Sequence, residues 1–258
     1  TLPSCRVAWA ELPARATRLV QLGAPGALMF GLEAWSFEFT TLLASYLGTA
    51  ALDAHVIMLN IISFAFLSFP FAIGVAASIR VGHLLGANDV SAAQSTAKLT
   101  FVWILAFQLA IAACMVIFRH YIGLLFTSDK RVISTVASIA VVAALFQVSD
   151  GMQAANGSIM RGMGRQKTVA WLNVLGFWVI GLPAGASITF GAAVGVAGLW
   201  WGFALGLTIV AALGVVMLLR IDWVKEASLA QQRVGASGRS DTGEASSRPA
   251  DAARGWNV

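Results

Sequence analysis

Six long apolar stretches, separated by short polar or glycine-containing loops, restrict what this chain can fold into. A helix needs roughly 20 mostly apolar residues to cross the hydrocarbon core of a bilayer. The stretches of that length are Val20–Leu43, Val56–Ile79, Leu99–Phe118, Val132–Gln153, Val169–Phe190 and Val194–Leu219. The composition agrees, since 11% of the residues are charged, whereas soluble domains contain about 25%. The sequence predicts an all-α membrane protein with six transmembrane helices.

Lysine and arginine are unevenly distributed between the two ends of these stretches. On the side of the termini lie Arg6, Arg15, Arg18, Arg80, Lys98, Arg161, Arg165, Lys167, Arg220 and Lys225. The opposite side has Arg119, Lys130 and Arg131. Because cytoplasmic loops carry the excess of basic residues, we expect a multi-pass protein with both termini in the cytoplasm.

The chain divides into three segments. We assign residues 1–18 to an N-terminal cytoplasmic segment and residues 19–226 to the six-helix membrane domain. Residues 227–258 are rich in Ser, Gly, Ala, Gln and Arg, and such a composition predicts a disordered cytoplasmic tail.

Prolines, glycines and capping residues predict local features of the helices. Pro25, Pro70 and Pro183 fall within apolar stretches, where proline invites a kink. Asn88-Asp89 and Ser128-Asp129 precede the third and fourth helices as candidate N-caps. Four G-x-x-x-G pairs, which favour close helix packing, are Gly181/Gly185, Gly191/Gly195, Gly198/Gly202 and Gly202/Gly206.

The sequence offers no clear metal, nucleic-acid or enzyme site. Cys5 and Cys114 lie far apart, and the three histidines lie near different segment ends. The formal charge of +5 is spread over loops and tail rather than gathered in a basic stripe with aromatic residues. We therefore expect no metal, no cofactor and no nucleic-acid partner. An enzyme is also disfavoured, since no nucleophile–base pair is evident.

Three carboxyl groups within the apolar stretches are the strongest functional signal. They belong to Glu33 and Glu38 in the first stretch and Asp150 in the fourth, and no lysine or arginine lies within any predicted stretch. A charge at the bilayer centre costs at least about 2.5–3.5 kcal/mol, so it usually faces the protein interior or a cavity. Buried carboxyl groups without a base can exchange protons and attract organic cations. Five positions apart, Glu33 and Glu38 point about 140° away from each other around the helix.

Other polar residues extend this candidate site. Ser36 and Thr40 share the helix face of Glu33, and Gln147 lies one turn before Asp150. These side chains are typical of a wall of a water-filled cavity.

Asn60, in the second stretch, could bind substrate or bridge two helices. Trp35, Phe37, Phe64 and Trp178 could stack on a cationic ligand, although packing and lipid contact are the ordinary roles of such residues. Asn156 precedes a glycine, which favours bonding to the local backbone.

Several motifs, in order, resemble the C-terminal lobe of the multidrug and toxic compound extrusion (MATE) transporters of the eukaryotic or plant type. They are APGALMFGLEAWSFE (Ala24–Glu38), AASIRVGHLLGANDVSAAQ (Ala76–Gln94), LFTSD (Leu125–Asp129), DGMQAANGSIMRGMGRQKTVAWLNVLGFWVIGLP (Asp150–Pro183) and DWVKEA (Asp222–Ala227). The resemblance implies one six-helix lobe of a twelve-helix transporter, located in a plasma, vacuolar or other organelle membrane. It implies that Glu33, Glu38 and Asp150 correspond to the family's essential acids, and that Asn60 occupies a position where relatives have an amide or an acid.

The resemblance implies a secondary antiporter that exports organic solutes, such as cations, xenobiotics or secondary metabolites. Protons are the expected coupling ion, because no sodium-coordinating cluster is evident. The N-terminal six-helix lobe is missing as a partner, and transport by alternating access needs two lobes. One alternative is therefore a non-transporting fragment. Another is a proton-coupled flippase of lipids or lipid-linked precursors, which would need a larger and more cationic cavity than spans without arginine can provide.

Overall fold

A computed structural model describes residues 12–233 of the chain as helices joined by short loops, without a β-strand in that range. The helices are α1 (Leu12–Ser45), α2 (Thr49–Ser68), α3 (Pro70–Gly86), α4 (Val90–Ile117), α5 (Arg119–Ile122), α6 (Lys130–Gly162), α7 (Gln166–Asn173), α8 (Leu182–Ala186) and α9 (Ala197–Arg220). A 3₁₀ turn (Gly123–Leu125) follows α5, π-helical segments (Val174–Gly181 and Ser187–Gly191) flank α8, and a terminal helix covers 223–233.

Five helical stretches of the described range are long and apolar enough to cross a membrane. They are Thr49–Gly86, Val90–Ile117, Lys130–Gly162, Gln166–Gly191 and Ala197–Arg220. They coincide with five of the six predicted spans. The remaining predicted span, 20–43, lies inside α1, whose 34 residues include Glu33 and Glu38 in the apolar run.

The core of the lobe is organised around α6, which packs against α2, α3, α4 and α9. Residues along its whole length are buried, whereas α4 and the α2–α3 stretch leave large apolar side chains exposed on the outside. An apolar exterior around a packed interior is what a lipid environment requires. The lobe is therefore built from the central helix outward.

The structure extends α6 nine residues beyond the predicted end of the fourth span, from Gln153 to Gly162. The sequence prediction ended the span there because polar residues interrupt the apolar run. These polar residues are buried in the helix interior, and the Asn156 side chain donates to the carbonyl of Ala211 in α9 at 2.9 Å rather than to the local backbone. Arg161, which lies outside the predicted span, is consequently part of the helix.

Pro70 produces the predicted break in the second span. Phe69 has φ −139° and ψ −55°, outside the helical region, and Pro70 begins α3. Because proline lacks a backbone N–H, it fits the first turn of a helix and weakens a helix interior. Pro183 similarly lies in the short α8 between the two π-helical segments, whereas α1 continues through residue 25.

The two predicted N-caps that end in aspartate are present. The Asp89 carboxylate accepts from the Ala92 N–H at 3.0 Å, and the Asp129 carboxylate accepts from the Arg131 N–H at 2.8 Å. These bonds satisfy backbone donors that have no partner inside the helix. They fix the starts of α4 and α6.

A seam of glycines brings the fifth and sixth spans into backbone contact. Its members are Gly176, Gly181, Gly185, Gly198, Gly202 and Gly206. A Cβ on Gly202 would collide with the backbone of Gly185, and a Cβ on Gly206 would collide with the carbonyl of Gly176. The Gly191/Gly195 pair, by contrast, faces open space. Three of the four predicted G-x-x-x-G pairs therefore make the close approach.

The terminal helix packs back onto the loop between α6 and α7. The Arg165 guanidinium donates through Nε to the Glu226 carboxylate at 3.1 Å, and Glu226 is almost completely buried. Arg233 donates to the carbonyl of Met163 at 3.0 Å. Residues 227–233, which we assigned to the tail, are therefore helical. The rest of the tail and residues 1–11 lie outside the described range.

Candidate functional site

A cavity between α1, α3, α6 and α7 contains both Glu33 and Asp150. Its volume is about 40 Å³, which suits a few water molecules and is far below the roughly 300–1,000 Å³ of a drug pocket. Both carboxyl-bearing residues are half-buried. Helices far apart in sequence thus bring two of the three predicted acids into one small space.

The α6 wall of this cavity consists of residues at helical spacing. Asp150, Gly157 and Arg161 are separated by seven and four positions, so they lie on one face of the helix. Gln153 lines the same cavity one turn from Gly157. One helix therefore supplies an acid, an amide and a base to the site.

An amide chain connects α6 to Glu33 of α1. The Gln153 side chain donates to the Asn173 Oδ1 at 3.1 Å, and Asn173 donates through Nδ2 to the Glu33 carboxylate at 3.3 Å. The Gln153 Oε1 is buried without a hydrogen-bond partner in the described structure. An acceptor in that position is available to a water molecule or to a protonated carboxyl group.

Arg161 overturns the prediction that the spans contain no base. Its side chain lines the cavity, and its charge interacts electrostatically with that of Glu33. The Glu33 and Asp150 carboxyl groups also interact with each other. Because like charges in a medium of low dielectric repel strongly, the doubly ionised state of the two acids is disfavoured unless a cation compensates it. The cavity therefore places one basic group beside two acidic groups.

Glu38 does not join the other two acids. It lies on the exposed part of α1, while Glu33 faces the cavity, as the 140° rotation predicts. Trp35 is also exposed, with 58% of its surface accessible. The first helix therefore presents one acid to the interior of the lobe and the other to its surroundings.

The hydroxyl residues predicted to share the Glu33 face lie outside the cavity lining. Ser36 and Thr40 are buried, and their hydroxyl groups donate to backbone carbonyls of α1, Ser36 to that of Glu33 at 2.6 Å. These bonds satisfy the hydroxyl groups within the helix.

The two predicted amides also lie away from the acids. Gln147 is buried, and it exchanges hydrogen bonds with Gln108 of α4, the Gln108 side chain donating to the Gln147 carbonyl at 2.7 Å. The Asn60 side chain is exposed and donates to the carbonyl of Val56 in its own helix at 2.9 Å. In this structure Gln147 connects two helices, and Asn60 connects none.

Three phenylalanines form an aromatic mouth at the cavity, at the break between α2 and α3. Phe30, Phe66 and Phe71 line the cavity, and the Phe71 ring lies 6.3 Å from Phe30 and 6.2 Å from Phe66. Aromatic faces attract cations through their electron-rich π-systems. Phe30 of this mouth comes from α1, and Phe66 and Phe71 come from the two sides of the break between α2 and α3.

The aromatic residues considered from sequence have different positions. Phe37 packs within the core against Phe146, Phe177 and Phe203. The Trp178 indole donates to the carbonyl of Leu32 in α1 at 2.9 Å. Phe64 is 77% exposed. None of these three side chains lines the described cavity.

Sequence reasoning missed Gln153, Asn173 and Arg161 as site residues. A helical repeat through Asp150, Gly157 and Arg161 was available in the sequence, and extending it past the apolar run would have found the arginine. Asn173 had no such signal, because its pairing with Glu33 spans 140 positions.

In the described range, no group of three His, Cys, Asp or Glu side chains could hold a metal ion. The cavity offers two carboxyl groups and two amides beside a guanidinium.

A family model described as MatE matches residues 25–187. The chain is 32% identical over 215 residues to Multidrug and toxin extrusion protein 2 of Mus musculus, covering 83% of this chain and 37% of that protein. It is 34% identical over 225 residues to Multidrug resistance protein MdtK of Edwardsiella ictaluri, covering 84% and 47%. The chain thus spans less than half the length of these relatives, and animal and bacterial relatives are about equally similar.

Solved structures share the fold. The eukaryotic MATE transporter AtDTX14 superposes with a TM-score of 0.81 at 29% identity, covering 91% of this chain and 53% of that chain. The Vibrio cholerae MATE transporter VcmN in its bent form has a TM-score of 0.72 at 22% identity, covering 83% and 49%. These similarities confirm the predicted all-α fold of one transporter lobe.

Proposed function

From the premise that this chain belongs to the MatE family of transporters, we propose that it forms the proton-binding lobe of a secondary antiporter. The antiporter exports organic solutes, with organic cations as the leading class. Protons are the coupling ion in this proposal. The observation that supports it is the meeting of Glu33 and Asp150 in one small cavity.

The exchange follows from electrostatics. With both carboxyl groups ionised, the cavity attracts a cation, and the aromatic mouth offers faces on which the cation can rest. Proton binding to the carboxyl groups removes that attraction and favours release. Asn173 keeps the Glu33 carboxylate oriented toward the cavity through its hydrogen bond. Binding of the cation beside the cavity and binding of protons to the two acids therefore oppose each other.

The small cavity volume implies that a second lobe takes part. About 40 Å³ admits water and protons but not an organic molecule. Substrate sites of such transporters form at the interface between repeats, near the middle of the membrane. We propose that a partner lobe covers the α1–α2 face, where Trp35, Glu38 and Asn60 are exposed, and completes the substrate site.

The test is efflux of a fluorescent organic cation from proteoliposomes under an imposed pH gradient. The protein is a two-lobe transporter that contains this chain as its C-terminal lobe. We expect Glu33→Gln and Asp150→Asn each to lower proton-driven efflux at least about tenfold, a loss of roughly 1.4 kcal/mol of transition-state stabilisation. Asp222→Asn is the control, because it also removes an acid, but an exposed one after α9 that lies outside the cavity and outside the α1–α2 face, and we expect it to retain most of the efflux.

Retained proton-driven efflux in both cavity variants would contradict the proposal. Replacing the pH gradient by a sodium gradient separates the two coupling ions, and a sodium-driven protein would respond to that gradient alone. Transport by the chain reconstituted without a second lobe would show that two copies can assemble, and would contradict the need for a distinct partner lobe.

A flippase of lipid-linked precursors is a weaker alternative. We disfavoured it partly because the predicted spans lack arginine, and Arg161 in the cavity removes that part of the argument. The cavity nevertheless contains two acids against one base and is small. Anionic lipid head groups would meet a net negative site, so organic cations remain the better match.

A further inference from the structure

We propose that Arg161 sets the charge class of the exported molecule by leaving the cavity with a single net negative charge. The inference rests on the proposed function and goes beyond it, because it names monovalent organic cations as the preferred substrates. Arg161 acts in this proposal as a specificity-determining residue of the cation site.

The position of the guanidinium is the first observation. Arg161 lies in the last turn of α6, three turns after Asp150 on the same face. A Cβ placed on Gly157 would lie 3.2 Å from a terminal nitrogen of Arg161. The arginine side chain therefore runs back along α6 toward Asp150, over a position where glycine leaves room for it. Helical side chains point toward the N-terminus of their helix, which favours this path.

The second observation is the set of charges around the cavity. Its lining residues from α3 are Pro70, Phe71 and Gly74, and the segment after α6 supplies Val169, Asn173 and Phe177. The charged members are Glu33 from α1 together with Asp150 and Arg161 from α6. The cavity lining of the described structure thus contains two acids and one base.

The net charge of these three groups depends on how many protons the two acids bind. With both acids ionised the site has one net negative charge, with one proton bound it is neutral, and with two protons bound it is positive. In a medium of low dielectric such differences dominate cation binding. A monovalent cation in the adjoining substrate site balances the net charge of the ionised cavity, whereas a divalent cation leaves an excess positive charge near Arg161.

This dependence of net charge on protonation also gives Arg161 a part in release of the organic cation. After both acids are protonated, the guanidinium is the remaining charge in the cavity and repels an organic cation held in the adjoining substrate site. Protonation thus converts the site from attractive to repulsive rather than merely neutral. Without the arginine, the fully protonated site would be neutral and would retain the cation longer.

The test compares a mono-quaternary and a bis-quaternary ammonium compound of the same scaffold, measured by equilibrium binding to the purified two-lobe protein at alkaline pH. We expect Arg161→Gln to shift the preference toward the bis-quaternary compound at least about tenfold, because the ionised site then has two negative charges. Arg161→Lys should keep the wild-type preference. Arg80→Gln is the matched control, since Arg80 is an exposed arginine of α3 outside the cavity.

A charge-compensation experiment gives a second readout. Glu33→Gln should weaken binding of the mono-quaternary compound, since the site becomes neutral while Asp150 is ionised. Adding Arg161→Gln to that variant restores one negative charge and should recover binding at least about fivefold. Two independent harmful substitutions would instead lower the affinity further, because their free-energy losses usually add. A variant that lost its fold could not regain affinity in this way.

An unchanged preference in Arg161→Gln, or a double variant no better than Glu33→Gln, would overturn the role of Arg161. Proton-driven efflux by the wild-type protein would still stand in that case, so the two proposals can fail separately. Binding of neither compound to a wild-type protein that shows no proton-driven efflux would overturn both.

Discussion

At the scale of single residues, two groups of polar side chains stand out inside the described lobe. One group surrounds the cavity and includes Glu33, Asp150 and Arg161, whose charges act on each other. The other group connects helices, as Gln108 and Gln147 do between α4 and α6. Sequence alone predicted both kinds of residue as candidates for one site, because a polar residue in an apolar run has the same appearance whether it faces a neighbour or a cavity.

Replacing Gln108 by leucine tests the structural role of this pair. We expect a loss of about 1–3 kcal/mol in the free energy of unfolding, because the buried Gln147 amide loses its acceptor. The double variant with Gln147→Leu should recover most of that loss, since both partners then become apolar. Denaturation in detergent micelles, followed by circular dichroism, measures the cycle. Additive losses in the double variant would count against the pairing.

Replacing Asn173 by leucine tests the orientation of Glu33. Hydrogen bonds to charged groups contribute about 1.5–3 kcal/mol, so we expect proton-driven efflux by the two-lobe protein to fall roughly tenfold. Gln166→Leu is a suitable control, because Gln166 is an exposed amide at the start of the same helix and lies outside the cavity lining. Equal efflux from both variants would mean that the amide does not support the site.

At the scale of secondary-structure elements, apolar length predicted where most spans lie but not where they end. The fourth span is the clearest case, since α6 continues to Gly162 through buried polar residues that hydropathy excludes. The same error removed Arg161 from the spans and left the predicted site without its base. The helical repeat that places Arg161 on the face of Asp150 can be used only if the helix is known to continue past Gln153. That continuation depends on tertiary contacts such as the hydrogen bond from Asn156 to Ala211.

Alanine at Gly202 tests the glycine seam. The new methyl group would collide with the backbone of Gly185, which cannot move as a flexible side chain would. We expect destabilisation of about 1–3 kcal/mol, as for overpacked cores. Alanine at Gly191, where the added Cβ contacts nothing within 4 Å, should leave the midpoint of thermal unfolding unchanged or slightly higher. Similar midpoints for the two variants would argue that the seam is not tightly packed.

At the scale of the whole molecule, the lobe is closed at one end by contacts that composition did not predict. The terminal helix 223–233 is anchored by Glu226 to Arg165 and by Arg233 to the Met163 carbonyl. The family resemblance predicted the overall fold correctly, because ordered motifs along most of the chain specify the helices together. It could not predict this closure, which depends on contacts between residues 61 and 70 positions apart.

Replacing Glu226 by alanine should release the terminal helix while leaving the membrane domain intact. Glu226 is almost fully buried and its loss leaves Arg165 without its partner. We expect backbone amides of 223–233 to exchange hydrogen at least about fivefold faster, because local opening becomes cheaper by roughly 1 kcal/mol. Lys225→Ala is the control, since Lys225 is exposed. Slow exchange in the Glu226 variant would show that the ion pair is not needed to hold the helix.

The glycine seam has a practical consequence for spectroscopy of this lobe. Two helices whose backbones touch at several points can serve as one rigid reference frame, so a pair of spin labels across α8 and α9 should report a single narrow distance. A pair placed on α1 and α3 would instead span the aromatic mouth, beside the break at Phe69 and Pro70. If the α8–α9 distance stays narrow while the α1–α3 distance distribution broadens, the broadening reports motion of the helices that line the cavity.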